Sequence, residues 1–530
     1  SFFVLSAFLF ACSDNGGSPD SGTLPDGATP ANDSSTPASD AGATDGSAPN
    51  LHPTIGDFVG VNAFIDDPTD TLAAIGNVRE YHNWSWPEGN GAANYPGYPN
   101  NQNSYSMFSG YWDWDKYFAD LKSKNVFGYP CVQGGVPWLN NGAAPPVAAN
   151  ASTTDPASYA AHADEMFQMS ARWGRTKVAD NLLKLASDQT RSTALGTVQY
   201  IEDWNEQDAW WILPNNQPVF TPEVYAAMAS ADYDGDQGRM AKTLGVKNAD
   251  PTMKMVMGGL SGQGEKITDW EKGIETYLDG IRTWSAAHRA GSFPADVINL
   301  HHYDFGANNA AVSPEADGVK DTMALLAAYR DKNLPGKELW ITEFGYDTDP
   351  TSPLHAPAIG ANSAQIVQGQ WIVRSYLALL AAGFDRAFLY VLRDDGCTSN
   401  CSTQFETAGV TGPKGDWTPK PAYYFIATMR ARLASYAWLR EVSSGNSNVL
   451  VYALKDPSSS KGAYVVWAPT STAQIVSGYS LAVGSASSAT IVTLADKQMT
   501  GTEAPATPSA GAVKLDVSET PTIVMVDSIQ

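Results

Sequence analysis

Val198-Gln199-Tyr200-Ile201-Glu202-Asp203-Trp204-Asn205-Glu206 is an apolar run of strand length that closes on acidic residues. Glu338-Leu339-Trp340-Ile341-Thr342-Glu343-Phe344-Gly345 repeats that plan further along the chain. Working outward from these two stretches, further strand-like runs lie at 59–65, 78–84, 126–132, 253–258, 297–303 and 387–392. Helix-like segments separate them, at 158–172, from 225 onward, and at 270–288, 322–330 and 364–382. Repeated strand–helix alternation predicts a parallel sheet, and eight strands predict closure into a barrel. Near-continuous apolar strands fit a sheet covered on both faces. The expected fold class is therefore α/β, a (β/α)8 TIM barrel. Reactive side chains in such a barrel project from the carboxyl ends of its strands. Glu206, after the fourth strand, and Glu343, ending the seventh, then face each other across the barrel mouth.

Past a helix-like stretch at 422–436 the pattern changes. Short strands at 449–454, 463–467, 479–483, 490–494, 513–517 and 522–526 alternate with Ser, Gly, Pro and Asn turns. They predict a C-terminal antiparallel β-sandwich domain. The expected organisation is a truncated signal segment at 1–12, a tether at 13–50, the barrel at 51–436 and the sandwich at 437–530.

The amino terminus reads as an address. Phe2 to Ala11 is apolar but too short for a bilayer span, which needs about 20 residues; it has the length of a signal-peptide core. The chain begins at Ser1 without Met or a basic segment, so the expectation is a signal truncated at its start. Leu9-Phe10-Ala11-Cys12 resembles a bacterial lipobox, which makes Cys12 the lipidated residue and a membrane lipid anchor an expected partner. Ser13 after it resembles outer-membrane sorting. Residues 13–50 hold Leu24 as their one bulky apolar side chain, too little to offset ordering entropy, so a solvated tether is expected. The expected location is extracytoplasmic, on the cell surface.

Composition narrows the chemistry. The 530 residues carry 33 Lys and Arg against 56 Asp and Glu, for a net charge of -23. So acidic a surface repels phosphate backbones, which argues against nucleic-acid binding. No obligate protein partner is inferred. The four cysteines give no disulfide framework and no paired-cysteine zinc site. Cys397 and Cys401 can bridge a short loop, and Cys131 reads as a small buried residue. Aromatic residues are plentiful and often lie beside Gly, Asn and Pro. Trp84, Trp86, Trp112, Trp114, Trp138, Trp210 and Trp211 either pack the core or offer flat faces to sugar rings.

Trp-Asn-Glu after strand four and Thr-Glu-Phe-Gly after strand seven resemble the acid/base and nucleophile motifs of clan A glycoside hydrolases. These are retaining β-glycosidases built on (β/α)8 barrels, and an appended sandwich is similar to family 39 and its neighbours. The resemblance covers residues 55–435. It implies Glu206 as acid/base and Glu343 as nucleophile. It also implies Arg79 as a substrate-side arginine and Asn205 as the group that binds a sugar 2-hydroxyl. His301-His302-Tyr303 resembles the His/Tyr pair near the nucleophile, and Trp138 in Gly135-Val136-Pro137-Trp138-Leu139 the loop that borders the sugar. Thr418-Pro419-Lys420-Pro421-Ala422-Tyr423-Tyr424 resembles the entry to the last barrel helix. Two positions depart from the pattern: Gln207-Asp208 follows Glu206 in place of the common Pro, and no Trp ends strand eight.

Acetal cleavage at neutral pH needs a proton for the leaving oxygen and a carboxylate at the anomeric carbon. The reading is hydrolysis of a β-glycosidic bond in a carbohydrate substrate, with retention and without a cofactor. Long loops after strands two, three and four favour an extended cleft and a polysaccharide. A surface glycan-binding protein without turnover, or a transglycosylase using the same residues, remain alternatives. Glu202 and Asp203 are the nearby carboxylates, and strand alternation turns them to opposite faces. Adjacent His301 and His302 also point apart, so no shared metal is expected there, and no other His cluster favours a zinc or iron hydrolase. Asp232-Tyr233-Asp234-Gly235-Asp236 resembles part of a calcium loop but lacks its twelfth-position Glu, and a solvated acidic turn is the expected form.

Overall fold

The computed structural model describes residues 52–88, 103–106, 112–186, 189–209, 220–262, 266–306, 308–397 and 403–529. Cys12, the tether, Trp210, Trp211 and Cys401 lie outside the described residues. Eight parallel strands close into a barrel in chain order. They are β1 (Val59–Ala63), β2 (Asn77–Asn83), β3 (Gly128–Gln133), β4 (Tyr200–Asp203), β5 (Lys254–Met257), β6 (Val297–His301), β7 (Glu338–Glu343) and β8 (Arg386–Leu389). β8 pairs with β1 to complete the ring.

Alternate residues of each strand face the barrel axis, and they sort into layers. The floor is aromatic. Tyr129, Trp340 and Phe388 pack with ring centroids 5.5–5.8 Å apart. A Cβ on Gly60 would lie 2.3 Å from the Phe388 ring, so only glycine lets that ring cross beside β1. One step up, the interior becomes polar. Asn62, Arg79, Glu202 and Asn299 are wholly buried there. Unpaired, such groups would cost several kcal/mol each, so their pairing decides whether the barrel closes.

The C-terminal strands are β9 (Ala437–Glu441), β10 (Leu450–Lys455), β11 (Gly462–Trp467), β12 (Ile475–Ala482), β13 (Ala489–Thr493), β14 (Thr502–Ala506), β15 (Ala512–Ser518) and β16 (Thr522–Val526). Six form an antiparallel sheet in the order β14-β13-β16-β11-β10-β9, and β12 pairs with β15. The period-two pattern gives the larger sheet two apolar faces. Tyr452, Leu454, Val465, Trp467 and Ile523 join the barrel's core. Val451, Ala453, Tyr464, Val466 and Val524 pack instead with Leu481, Val513 and Val517 of the smaller sheet. The larger sheet thus covers the barrel helices Ala364–Ala381 and Pro421–Leu433, where Val373, Leu377, Met429 and Leu433 meet Val465 and Ile523. Arg374 adds a polar tie, pairing with Glu315 at 2.9 Å and donating to the Thr470 carbonyl at 3.1 Å.

Among the described residues, no helix is long and apolar enough to cross a membrane. Cys397 is disulfide-bonded. Cys131 is a buried free thiol.

Candidate active site

Arg79 organises the mouth of the barrel. It sits on β2 with no exposure, and burying an unpaired guanidinium is prohibitive, so every donor it carries finds an acceptor. Nε and Nη2 clamp Glu202 at 2.7 and 2.8 Å, a bidentate pair from β4. Nη1 donates to Asn62 Oδ1 and to Glu343 Oε1, both at 2.9 Å. Nη2 also donates to Asn205 Oδ1 at 2.7 Å. Because arginine only donates, Asn205 must turn its oxygen inward, which directs its NH2 group the other way.

Glu343 therefore receives Arg79 on Oε1, together with the hydroxyl of Tyr81. Tyr303 donates to Oε2 at 2.9 Å. Three donors thus converge on one carboxylate and fix its orientation. The strand supplies the aim. Trp340 and Thr342 face the axis, so strict alternation would turn Glu343 outward; the β6–β7 register instead shifts between Leu300 and His301 and pairs His301 with Glu343.

Glu206 follows β4 in a turn where Trp204 and Glu206 both have left-handed backbone, at φ 84° and 48°. Non-glycine residues seldom adopt this region, and such conformations cluster at functional sites. The turn is tied to the next loop. The Glu206 amide donates to the Gly259 carbonyl at 3.0 Å, and Gln207 Nε2 donates to the Gly258 carbonyl at 2.9 Å. Asp208 accepts from the amides of Ser261 and Gly262 at 3.0 and 2.8 Å, and burial pushes its carboxyl up to about 6. The two residues that replace the usual Pro thus stitch β4 to β5.

His301 lies between the carboxylates, with Nδ1 2.9 Å from Glu206 Oε1 and 3.5 Å from Glu343 Oε1. One atom each of Glu206, His301 and Glu343 fall within 4.8 Å of one another. A hydrogen-bond chain sets its tautomer. Glu202 can only accept, so Asn299 Nδ2 donates to it at 3.0 Å and Asn299 Oδ1 faces Thr342. The Thr342 hydroxyl spends its proton on that oxygen at 2.9 Å, so it accepts from His301 Nε2–H at 2.9 Å. Burial lowers His301 to about 4, which keeps the ring neutral. Nδ1 then carries a lone pair, and a hydrogen bond with Glu206 requires the proton to reside on Glu206. The two glutamates thereby sit in unlike surroundings: Glu206 faces the lone pair of a neutral imidazole, and Glu343 faces three donors.

Of the residues singled out from the sequence, Arg79, Asn205, Glu206, His301, Tyr303 and Glu343 come together here. His302 does not. Its ring faces away from the axis, 2.7 Å from Asp317 and tilted against Trp270 with centroids 4.7 Å apart. Trp138 donates to Glu88 at 2.7 Å and packs edge-on against Trp84. Trp84 and Trp114 are core residues, whereas Trp112 is 38% exposed. Tyr81 was not foreseen, although it lies two residues beyond Arg79 on one strand and so shares its face. The solvated acidic turn expected around Asp232 is not what forms, nor is a calcium loop. Asp232 is wholly buried beside His162, Asp234 pairs with Arg289 at 2.8 Å, and Asp236 is bound by Arg239 and Ser230. Helix Pro222–Asp234 carries Asp232 inward, and its acids diverge around the helix end.

No protein-family model matches the chain, and no curated protein sequence does. Solved structures do. A family 39 glycoside hydrolase from the gut symbiont Bacteroides cellulosilyticus WH2 superimposes with a TM-score of 0.59 at 16% identity, over 89% of this chain and 82% of that one. A glucosidase from Croceicoccus marinus gives 0.54 at 13% identity, over 91% and 98%. A family 30, subfamily 8 xylanase from Clostridium acetobutylicum gives 0.53 at 12% identity, over 90% and 97%. At such identities the likeness is one of fold, and by fold this chain is a (β/α)8 barrel with an appended β-sandwich, the architecture it shares with these glycoside hydrolases.

Proposed function

We propose that the protein is a retaining glycoside hydrolase acting on a β-linked carbohydrate. The observation that carries this is the pair Glu206 and Glu343, one oxygen of each lying within 4.8 Å of the other in unlike surroundings. Retaining enzymes hold their two carboxyls about 5–5.5 Å apart, and inverting ones about 6.5–9.5 Å apart to admit a water. In the proposed first step, Glu343 Oε2 attacks the anomeric carbon while Glu206 gives its proton to the glycosidic oxygen. The C–O bond breaks, an alcohol leaves, and a glycosyl ester forms on Glu343. In the second step Glu206, now charged, takes a proton from water, whose oxygen displaces Glu343 and restores the starting state. Asn205 NH2 holds the sugar hydroxyl beside that carbon in this reading, and Arg79, Tyr81 and Tyr303 orient the nucleophile.

The test is turnover of aryl β-glycosides and of β-glucans, xylans, mannans and galactans. Glu343→Ala is expected to abolish it, and Glu206→Ala to lower kcat by about 10²–10⁴-fold on substrates with poor leaving groups. Azide should restore turnover in Glu206→Ala and yield a β-glycosyl azide. Turnover unaffected by Glu343→Ala would sink the assignment. We also propose that Cys12 carries a lipid anchor, supported by the lipobox-like sequence; mass spectrometry of the mature N-terminal peptide decides it.

A further inference from the structure

On the helix side of the barrel wall, behind β4, three chemistry-bearing side chains meet away from the mouth. Asp203 comes from β4, His162 from helix Ala160–Trp173 and Asp232 from helix Pro222–Asp234. All three side chains have no exposure. Among the described residues no lysine or arginine pairs with either carboxylate, so two acids are buried without a counter-ion. Asp203 is the informative one: neither of its carboxylate oxygens has a hydrogen-bond partner, and Oδ1 of Asp232 lacks one too. Such groups cost several kcal/mol when left bare in a protein interior.

The geometry points to a ligand that meets them together. We propose that His162, Asp203 and Asp232 bind one divalent cation of the zinc class as a structural staple. One donor atom from each lies within 4.8 Å of the others. His162 Nδ1 is 2.9 Å from Asp232 Oδ2 and 4.0 Å from Asp203 Oδ1. A zinc ion about 2.0–2.2 Å from each donor sets tetrahedral donors about 3.4 Å apart, and the two separations bracket that spacing. One imidazole and two carboxylates suit zinc, whereas calcium seeks six to eight oxygens and magnesium keeps several waters. Two aspartates then exactly neutralise the cation's double charge, and the staple joins two helices to the strand that presents Glu206 three residues later. Spacing along the chain hides the site because its ligands come from three separate elements.

The competing account is a proton shared by Asp203 and Asp232, and Asp203→Asn separates the two. The full chain, purified without chelator or refolded with Zn2+, is expected to retain one zinc per chain by mass spectrometry of the metal. Removing it with a chelator should lower Tm by at least about 5 °C, and Zn2+ alone should restore it. Asp203→Asn and His162→Ala should each bind no zinc and lose the response. Asparagine keeps the hydrogen bond of a protonated aspartic acid, so a shared proton predicts an unchanged Tm in Asp203→Asn. Folded wild-type protein that holds no metal and shows the same Tm with Zn2+ as with chelator overturns the proposal.

Discussion

Glu343 illustrates how much a single side chain depends on its donors. Arg79, Tyr81 and Tyr303 all reach it, and each neutral phenol is a hydrogen bond to a charged group, about 1.5–3 kcal/mol. Tyr81→Phe and Tyr303→Phe are therefore expected to lower kcat/KM by about 10–100-fold each, with Tm nearly unchanged, as steady-state kinetics beside thermal melts will report. Arg79 was legible from the sequence and Tyr81 was not. The difference lies in what carried each reading: Arg79 stands where the resemblance implies a substrate-side arginine, while a tyrosine on a strand is ordinary until the face it shares is known. His302 shows the converse, since it adjoins His301 in sequence and points away from it in space.

Elements decide where those residues aim. The β4–β5 connection and the left-handed turn at Glu206 place its carboxyl group, and His301 packs against Gly259. A Cβ there would come within 2.1 Å of His301 Nε2, a ring already held by Glu206 and Thr342. Gly259→Ala is expected to displace the ring, cut kcat by about 10²-fold and cost about 1–3 kcal/mol of stability, measured by kinetics and denaturant unfolding. An unchanged kcat would mean that His301 does not position the acid. All eight barrel strands were visible in the sequence, most of them as short apolar runs, although β2, Asn77-Val78-Arg79-Glu80-Tyr81-His82-Asn83, is largely polar. β9 and β14 were not. They are the two edges of the six-stranded sheet, rich in charge or carrying Pro505, and an edge strand is defined by its pairing rather than by an apolar pattern.

At the scale of the molecule, barrel and sandwich share one apolar core across helices Ala364–Ala381 and Pro421–Leu433. Removing residues 437–530 would bare Val373, Leu377, Met429 and Leu433 and strand Arg374 and Glu315 without the sandwich's Thr470 and Trp467. The truncated chain is expected to be insoluble or to melt at least about 10 °C lower, by thermal scanning of whatever remains soluble. A soluble, equally stable barrel would show the sandwich to be a passive appendage. The sequence alone determined the barrel and its strand order and pointed to the two glutamates, because strand–helix alternation and acids at strand ends are local signals. Tertiary structure decided the rest: the register shift that turns Glu343 inward, the chain of donors that leaves the proton on Glu206, and the meeting of His162, Asp203 and Asp232. Each of these joins residues from different strands or helices, and their energies exist only once the chain has closed on itself and excluded water.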